Sequence, residues 1–293
     1  MSGHRYRVVD VFTSRPLEGN PLAVFPDGAA FDDAAMQSIA RELNLSETVF
    51  VLPATRLDCD VRVRIFTPRF EMAFAGHPTV GAAFVLLDEG IVPGNSTRFT
   101  LEEKIGPVPI RVEAGARPMI WLRTPPIRPG PAFDGAACAR VVGLGPEDLL
   151  DVTPQIFSAG NPNVFIAVRD KAAVDRATVP DLRELTALKA GFQESLCVFV
   201  FTPTPEGAYS RMFAPEHGVF EDPATGSATG PLAAFMIQHG LVPGAAGTRF
   251  VSEQGTKMGR RSLLHVEVAG DHGADGIDVG GNVTPVIEGT LRI

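Results

Sequence analysis

Cysteine is scarce. The 293-residue chain has three, Cys59, Cys138 and Cys197, odd in number and in no C-x-x-C pair. That pattern argues against a disulfide framework and against a structural zinc site. The histidines show no metal-ligand spacing either, so no metal is expected. Basic charge is short: Lys and Arg total 26 against 34 Asp and Glu, a formal net charge of −8. Such a chain offers no electrostatic case for a nucleic-acid partner or an anionic membrane surface. It leaves anionic substrates open, because a site can be locally positive. Neither a signal-peptide core nor an apolar run of spanning length is found, so a soluble cytoplasmic protein is expected. No G-x-S-x-G elbow and no G-x-G-x-x-G after a strand occur, which removes serine hydrolysis and nucleotide binding from consideration. What the chain does have is 45% hydrophobic residues, enough for a sizeable core, with 30 Gly and 25 Pro spread as turn punctuation.

The chain is written twice. Gly19-Asn20-Pro21 returns as Gly160-Asn161-Pro162, 141 positions later. Ser46-Glu47-Thr48-Val49-Phe50-Val51 returns as Ser195-Leu196-Cys197-Val198-Phe199-Val200 at 149, Arg64-Ile65-Phe66 as Arg211-Met212-Phe213 at 147, and Ala75-Gly76-His77 as Thr225-Gly226-Ser227 at 150. Four matches in one order at nearly constant offset mark a duplicated half-domain. Alternation, as in Val61, Val63 and Ile65 against Arg62 and Arg64, predicts short strands, including one over 283–293 that returns to the first half. Each Gly motif opens a segment, 77–87 and 230–239, that is apolar nearly all round, the mark of a buried helix. The expected fold is α+β: two pseudo-symmetric halves, each a curved, mostly antiparallel sheet or barrel around a central helix. The expected boundaries are 1–124, joined by the C-terminal strand 281–293, and 125–280, with 124–131 as the link.

Four places can carry chemistry. His77 is read as an N-cap followed by Pro78 in the first helical turn, and Ser227 is a favoured N-cap type. A glycine before each cap lets a ligand reach the free N–H groups and the positive end of the helix, which favour a carboxylate. The plainer reading is two ordinary helix caps. Glu47 has Leu196 as its counterpart, so one half alone keeps a charge where an apolar strand begins. A carboxylate so placed suits general acid/base work, and the plainer reading is an exposed strand end. Asp222 either holds an amino group, orients His77, or caps a turn before Pro223. Asn20 is balanced between a turn and a ligand contact, and Arg64 and Arg211 read as structural.

Together, Gly19-Asn20-Pro21, Asn44-Leu45-Ser46-Glu47-Thr48, Phe74-Ala75-Gly76-His77-Pro78 and Glu221-Asp222-Pro223-Ala224-Thr225-Gly226-Ser227 resemble the PhzF family, from about Tyr6 to the C-terminus. The resemblance implies a fold like that of diaminopimelate epimerase, with the site in a cleft between the halves. It departs from the epimerases in having Ala75 and Thr225 where they carry cysteines. By resemblance, Glu47 is the acid/base group, and Gly76, His77, Asp222, Gly226 and Ser227, with Asn20, bind the substrate. The implied activity is a cofactor-independent isomerisation that moves a proton between carbons of a small carboxylic or amino acid, as on a dihydro-hydroxyanthranilate. The resemblance also implies a homodimer. A racemase or epimerase, and a non-catalytic metabolite-binding protein with the same cleft, are the alternatives.

Overall fold

The structure is a computed structural model that describes residues 3–179, 181–270 and 276–293. It divides into two compact units, Met1–Arg123 with Val279–Ile293, and Thr124–Asp278. The first crossing falls at the start of the expected link, and 128–132 belongs to the second unit as a strand rather than to a linker.

The first unit runs β1 (Gly3–Val11), β2 (Asn20–Phe25), α1 (Asp33–Leu43), β3 (Glu47–Pro53), β4 (Val61–Phe66), β5 (Glu71–Met72), α2 (Gly76–Asp88), β6 (Arg98–Glu103), β7 (Gly106–Glu113) and β8 (Met119–Arg123). Local chemistry sets α1. Asp32 caps it by accepting from the Ala35 N–H at 2.8 Å, and Asn44 ends it in the left-handed region at φ 51°. Its Met36, Ile39 and Ala40 are the buried face. Pairing is parallel for β2–β3 and β4–β6, antiparallel for β3–β4, β6–β7 and β7–β8.

Helix α2 is buried on nearly every side, as a helix without a polar face must be. A Cβ added at Gly81 would stand 2.6 Å from Leu22 Cδ2 and 2.8 Å from Val11 Cγ2. Only glycine lets the helix lie that close to β1 and β2.

The second unit repeats the plan: β9 (Arg128–Ala132), α3 (Gly135–Val141), β10 (Gln155–Ser158), β11 (Pro162–Ala167), α4 (Lys171–Arg176), α5 (Leu182–Leu188), β12 (Cys197–Thr204), β13 (Gly207–Ala214), β14 (Val219–Asp222), α6 (Gly226–Gln238), β15 (Arg249–Gln254) and β16 (Ser262–Val268). Again β11–β12 and β13–β15 are parallel while β12–β13 and β15–β16 are antiparallel. Helix α6 is the buried counterpart of α2, and Phe235 at its centre packs rings with Phe157, Phe165 and Phe201. The chain returns to the first unit within β17 (Ile277–Gly281), and β18 (Val283–Arg292) pairs antiparallel with β1. Each unit is thus a mixed sheet around a central helix, the α+β class read from the sequence.

Candidate active site

In the first unit the loop after β1 aims the first site residue. The Leu17 N–H donates to Asp10 Oδ2 at 2.6 Å, and Gly19 turns at φ 69°, where a Cβ would stand 2.4 Å from the Val11 carbonyl. The turn delivers Asn20, fully buried, to the head of β2. Parallel register places Leu22 beside Glu47, so the heads of β2 and β3 share one end of the sheet. Helix α2 starts at the same end and brings Gly76 and His77 with it.

The three polar side chains form a chain of contacts. Asn20 Nδ2 lies 3.1 Å from His77 Nδ1, and His77 Nε2 lies 3.2 Å from Glu47 Oε2. An amide N–H only donates, so Nδ1 is the bare nitrogen and the ring proton sits on Nε2, the nitrogen that faces Glu47. His77 is 3% exposed, and burial pushes its pKa down to about 3. The imidazole is therefore neutral at physiological pH and can present an N–H without a charge. The Glu47 side chain keeps 13% of its surface open. Glu47 thus lies at the mouth of a dry core, in contact with a neutral imidazole.

In the second unit Asp222 ends β14 and Thr225, Gly226 and Ser227 begin α6. Thr225 Oγ1 donates to Asp222 Oδ2 at 2.5 Å. Gln254, at the end of β15, ties the turn: its Nε2 donates to the Asp222 carbonyl at 2.7 Å, and its Oε1 accepts from the Thr225 N–H at 3.1 Å. Asp222 and Ser227 are buried to 7% exposure each.

The cap positions differ from the sequence reading. Helix α2 begins at Gly76 with Ala75 as its N-cap, and α6 begins at Gly226 with Thr225. His77 and Ser227 are second in their helices. Backbone dihedrals decide a cap, and the extended ones belong to Ala75, whose side chain has nothing to cap with. The shift turns the His77 ring into the unit, onto Asn20 and Glu47. Gln254 and the buried pair Thr79 and Glu103 were not singled out from the sequence. A signal for them existed: Thr79 and Thr229, and Glu103 and Gln254, recur at offsets of 150 and 151, continuing the duplication.

A mixed sheet around a buried helix, built twice, with a carboxylate and a neutral imidazole in the first copy and an Asp-Thr-Gln turn in the second, defines an epimerase-like α+β enzyme fold. The chain belongs to the phenazine biosynthesis-like protein family, whose PhzC-PhzF model matches residues 9–289. It is 37% identical over 290 residues to the trans-2,3-dihydro-3-hydroxyanthranilate isomerase of Pseudomonas aeruginosa, covering 98% of each chain. Isomerase is also the class named for similar curated relatives from Pseudomonas chlororaphis and Pseudomonas fluorescens. Its structure matches the Bacillus anthracis phenazine biosynthesis protein of the PhzF family with a TM-score of 0.89 at 26% identity, over the whole of both chains. A probable proline racemase from Agrobacterium radiobacter matches at a TM-score of 0.69 and 14% identity, covering 99% of this chain and 92% of that one, a likeness of fold alone.

Proposed function

We propose that the chain is an isomerase that moves a proton between two carbons of a small carboxylic acid, with Glu47 taking and returning the proton. The observation that carries this is the pairing of Glu47 with a neutral, buried His77 in the first unit, where the duplicate position holds apolar Leu196. A duplicated strand that keeps an acidic side chain on one side only, and sets it against a neutral imidazole, is furnished for proton transfer. The name of the Pseudomonas aeruginosa relative supports a cyclic, unsaturated amino-hydroxy acid as the substrate class.

In the proposed reaction the Glu47 carboxylate accepts a proton from a carbon flanked by unsaturation. The electron pair shifts through the conjugated system, and protonated Glu47 gives the proton back at a different carbon. Nothing is gained or lost overall, so the step balances with Glu47 alone. His77 stands against Glu47 with Nε2 3.2 Å from Oε2, and Asn20 keeps the ring proton on Nε2. Gly76 and the first turn of α2 offer free N–H groups to a carboxylate. Asp222, Gly226 and Ser227 are assigned to substrate binding in the second unit, and the protein is assigned to the cytoplasm as a homodimer.

The test is solvent exchange. Dihydro-hydroxyanthranilate and a panel of small amino and hydroxy acids are incubated in heavy water with the protein and with Glu47→Gln, and read by NMR. Deuterium at a ring carbon with the unmodified protein, reduced at least about a hundredfold in the variant, is the expected result. Equal labelling by both proteins removes Glu47 from the reaction.

A further inference from the structure

Thr79 stands one turn into α2, and its hydroxyl touches two oxygens. The Ala75 carbonyl is 2.7 Å away and Glu103 Oε1 is 2.5 Å away. A hydroxyl has one proton, and a carbonyl can only accept. For both contacts to be hydrogen bonds, Thr79 donates to Ala75 and accepts from Glu103, so the carboxyl holds a proton. The other assignment leaves two bare oxygens opposed at 2.7 Å in a buried site, an arrangement that costs what a missing hydrogen bond costs. Glu103 is 4% exposed, and its Oε2 has no hydrogen-bond partner among the described residues. An ionised carboxylate there would lack the donors and counter-charge that burial of a charge demands.

The duplication supplies an internal control. Glu103 ends β6, and its counterpart 151 positions on, Gln254, ends β15. Thr79 has its counterpart in Thr229, whose hydroxyl donates to the Thr225 carbonyl at 3.0 Å as Thr79 does to Ala75. Gln254 is fully buried and binds the residue that opens α6. The counterpart of Glu103 is thus an uncharged side chain, bonded to Thr225 and the Asp222 carbonyl where Glu103 meets the Thr79 hydroxyl. A protonated glutamic acid has the same shape and the same neutrality.

We propose that Glu103 is a positioning residue that works as a neutral acid. It donates to Thr79, which donates to the Ala75 carbonyl and fixes the turn that carries Gly76 and His77; loss of its proton switches off carboxylate binding at that turn. The second half rests on the reading that the start of α2 holds the substrate carboxylate. A negative charge one turn beneath the free N–H groups of α2 would cancel the positive end of the helix that attracts the ligand. Burial pushes Glu103 up to about 8. The charged neighbours are engaged elsewhere: Glu102 accepts from Thr55 and Arg56, Arg64 binds Asp33 and Glu71, Lys104 lies 3.7 Å from Glu71, and Arg62 lies 3.9 Å from Glu102. On α2 the nearest titratable ring, His77, is neutral, and β7 sets Gly106 opposite Glu103.

Two measurements on the full chain test this. Carbon-13 NMR of glutamate-labelled protein, with Glu103→Gln to assign the signal, reads the proton directly. A signal absent from the variant that titrates near 8 is expected; titration in the ordinary carboxylate range overturns the proposal. Calorimetric binding of anthranilate, an unreactive aromatic carboxylate, reads the switch. Affinity in the unmodified protein should weaken about tenfold between pH 7 and pH 9, while Glu103→Gln keeps its neutral-pH affinity throughout. Affinity that is flat in both proteins overturns the switch even if the carboxyl titrates near 8. Anthranilate bound at no pH removes the carboxylate-site reading and the switch with it, and the NMR titration still decides whether Glu103 is neutral.

Discussion

A buried neutral acid leaves a thermodynamic signature in the pH dependence of folding. Glu103 ionises at about 8 in the folded unit against an ordinary 4.5. Between those values the unfolded chain has lost its proton and the folded chain has kept it, so the folded state binds more protons. Stability therefore falls as pH rises through this window and levels above about 8. Each pH unit is worth about 1.4 kcal/mol. Allowing for the rounding of the curve near 8, the fall between pH 6 and pH 8 is about 2 kcal/mol, and over the whole window about 4 kcal/mol. Glu103→Gln removes the titration and keeps the shape of the side chain, with an amide N–H that can donate to Thr79. The assay is close at hand, because the chain has one tryptophan, Trp121, which lies in β8 of the first unit and is 2% exposed. Urea unfolding followed by Trp121 fluorescence therefore reads the unit that holds Glu103. The variant should gain on the unmodified protein by about 2 kcal/mol on going from pH 6 to pH 8. A gap between the two proteins that stays constant with pH would refute the reasoning, since it would mean that Glu103 ionises alike in both states.

Two further expectations follow from the same unit. Gly81→Ala places a methyl group 2.6 Å from Leu22 and 2.8 Å from Val11, both fully buried, and should cost about 1–3 kcal/mol in the same fluorescence assay; a neutral effect would mean that α2 moves freely against β1 and β2. His77, pushed down to about 3 by burial, binds its proton in the unfolded chain first as pH falls below 6.5, so its contribution to stability is lost toward acid. Its ring carbon-13 shifts should stay those of a neutral imidazole, protonated on Nε2, from pH 8 to pH 5, and an ordinary titration midpoint near 6.5 would contradict the geometry.

Much of the fold was legible because duplication and patterning are properties of the chain itself. Helices α2 and α6 are apolar all round, and such a segment has to be surrounded, whatever surrounds it. The alternation in 61–66 fixed which faces of β4 turn inward. Asn20, Glu47 and His77 were each visible as a departure from the repeat or as a motif. The N-caps were misplaced by two residues, because a cap depends on dihedral angles and not on side-chain type alone. Glu103 and Gln254 escaped although they obey the repeat. In the stretch Leu101-Glu102-Glu103-Lys104, nothing local distinguishes the glutamate that binds a loop from the one beneath a helix. Glu102 turns to the loop at Thr55 and Arg56, and Glu103 turns to Thr79 on α2.

The sequence by itself determined that the chain is built twice, that each half wraps a sheet around an apolar helix, and that a carboxylate survives on one side only. These follow from composition and periodicity, which do not depend on where the chain goes. Tertiary structure decided the electrostatics. Parallel register set Glu47 at the end of the sheet from which α2 departs, and the contact with Asn20 settled which nitrogen of His77 carries its proton. Burial under α2 made Glu103 an acid that keeps its own. A residue's charge is set by the groups and the dielectric around it, and only the folded chain brings those together.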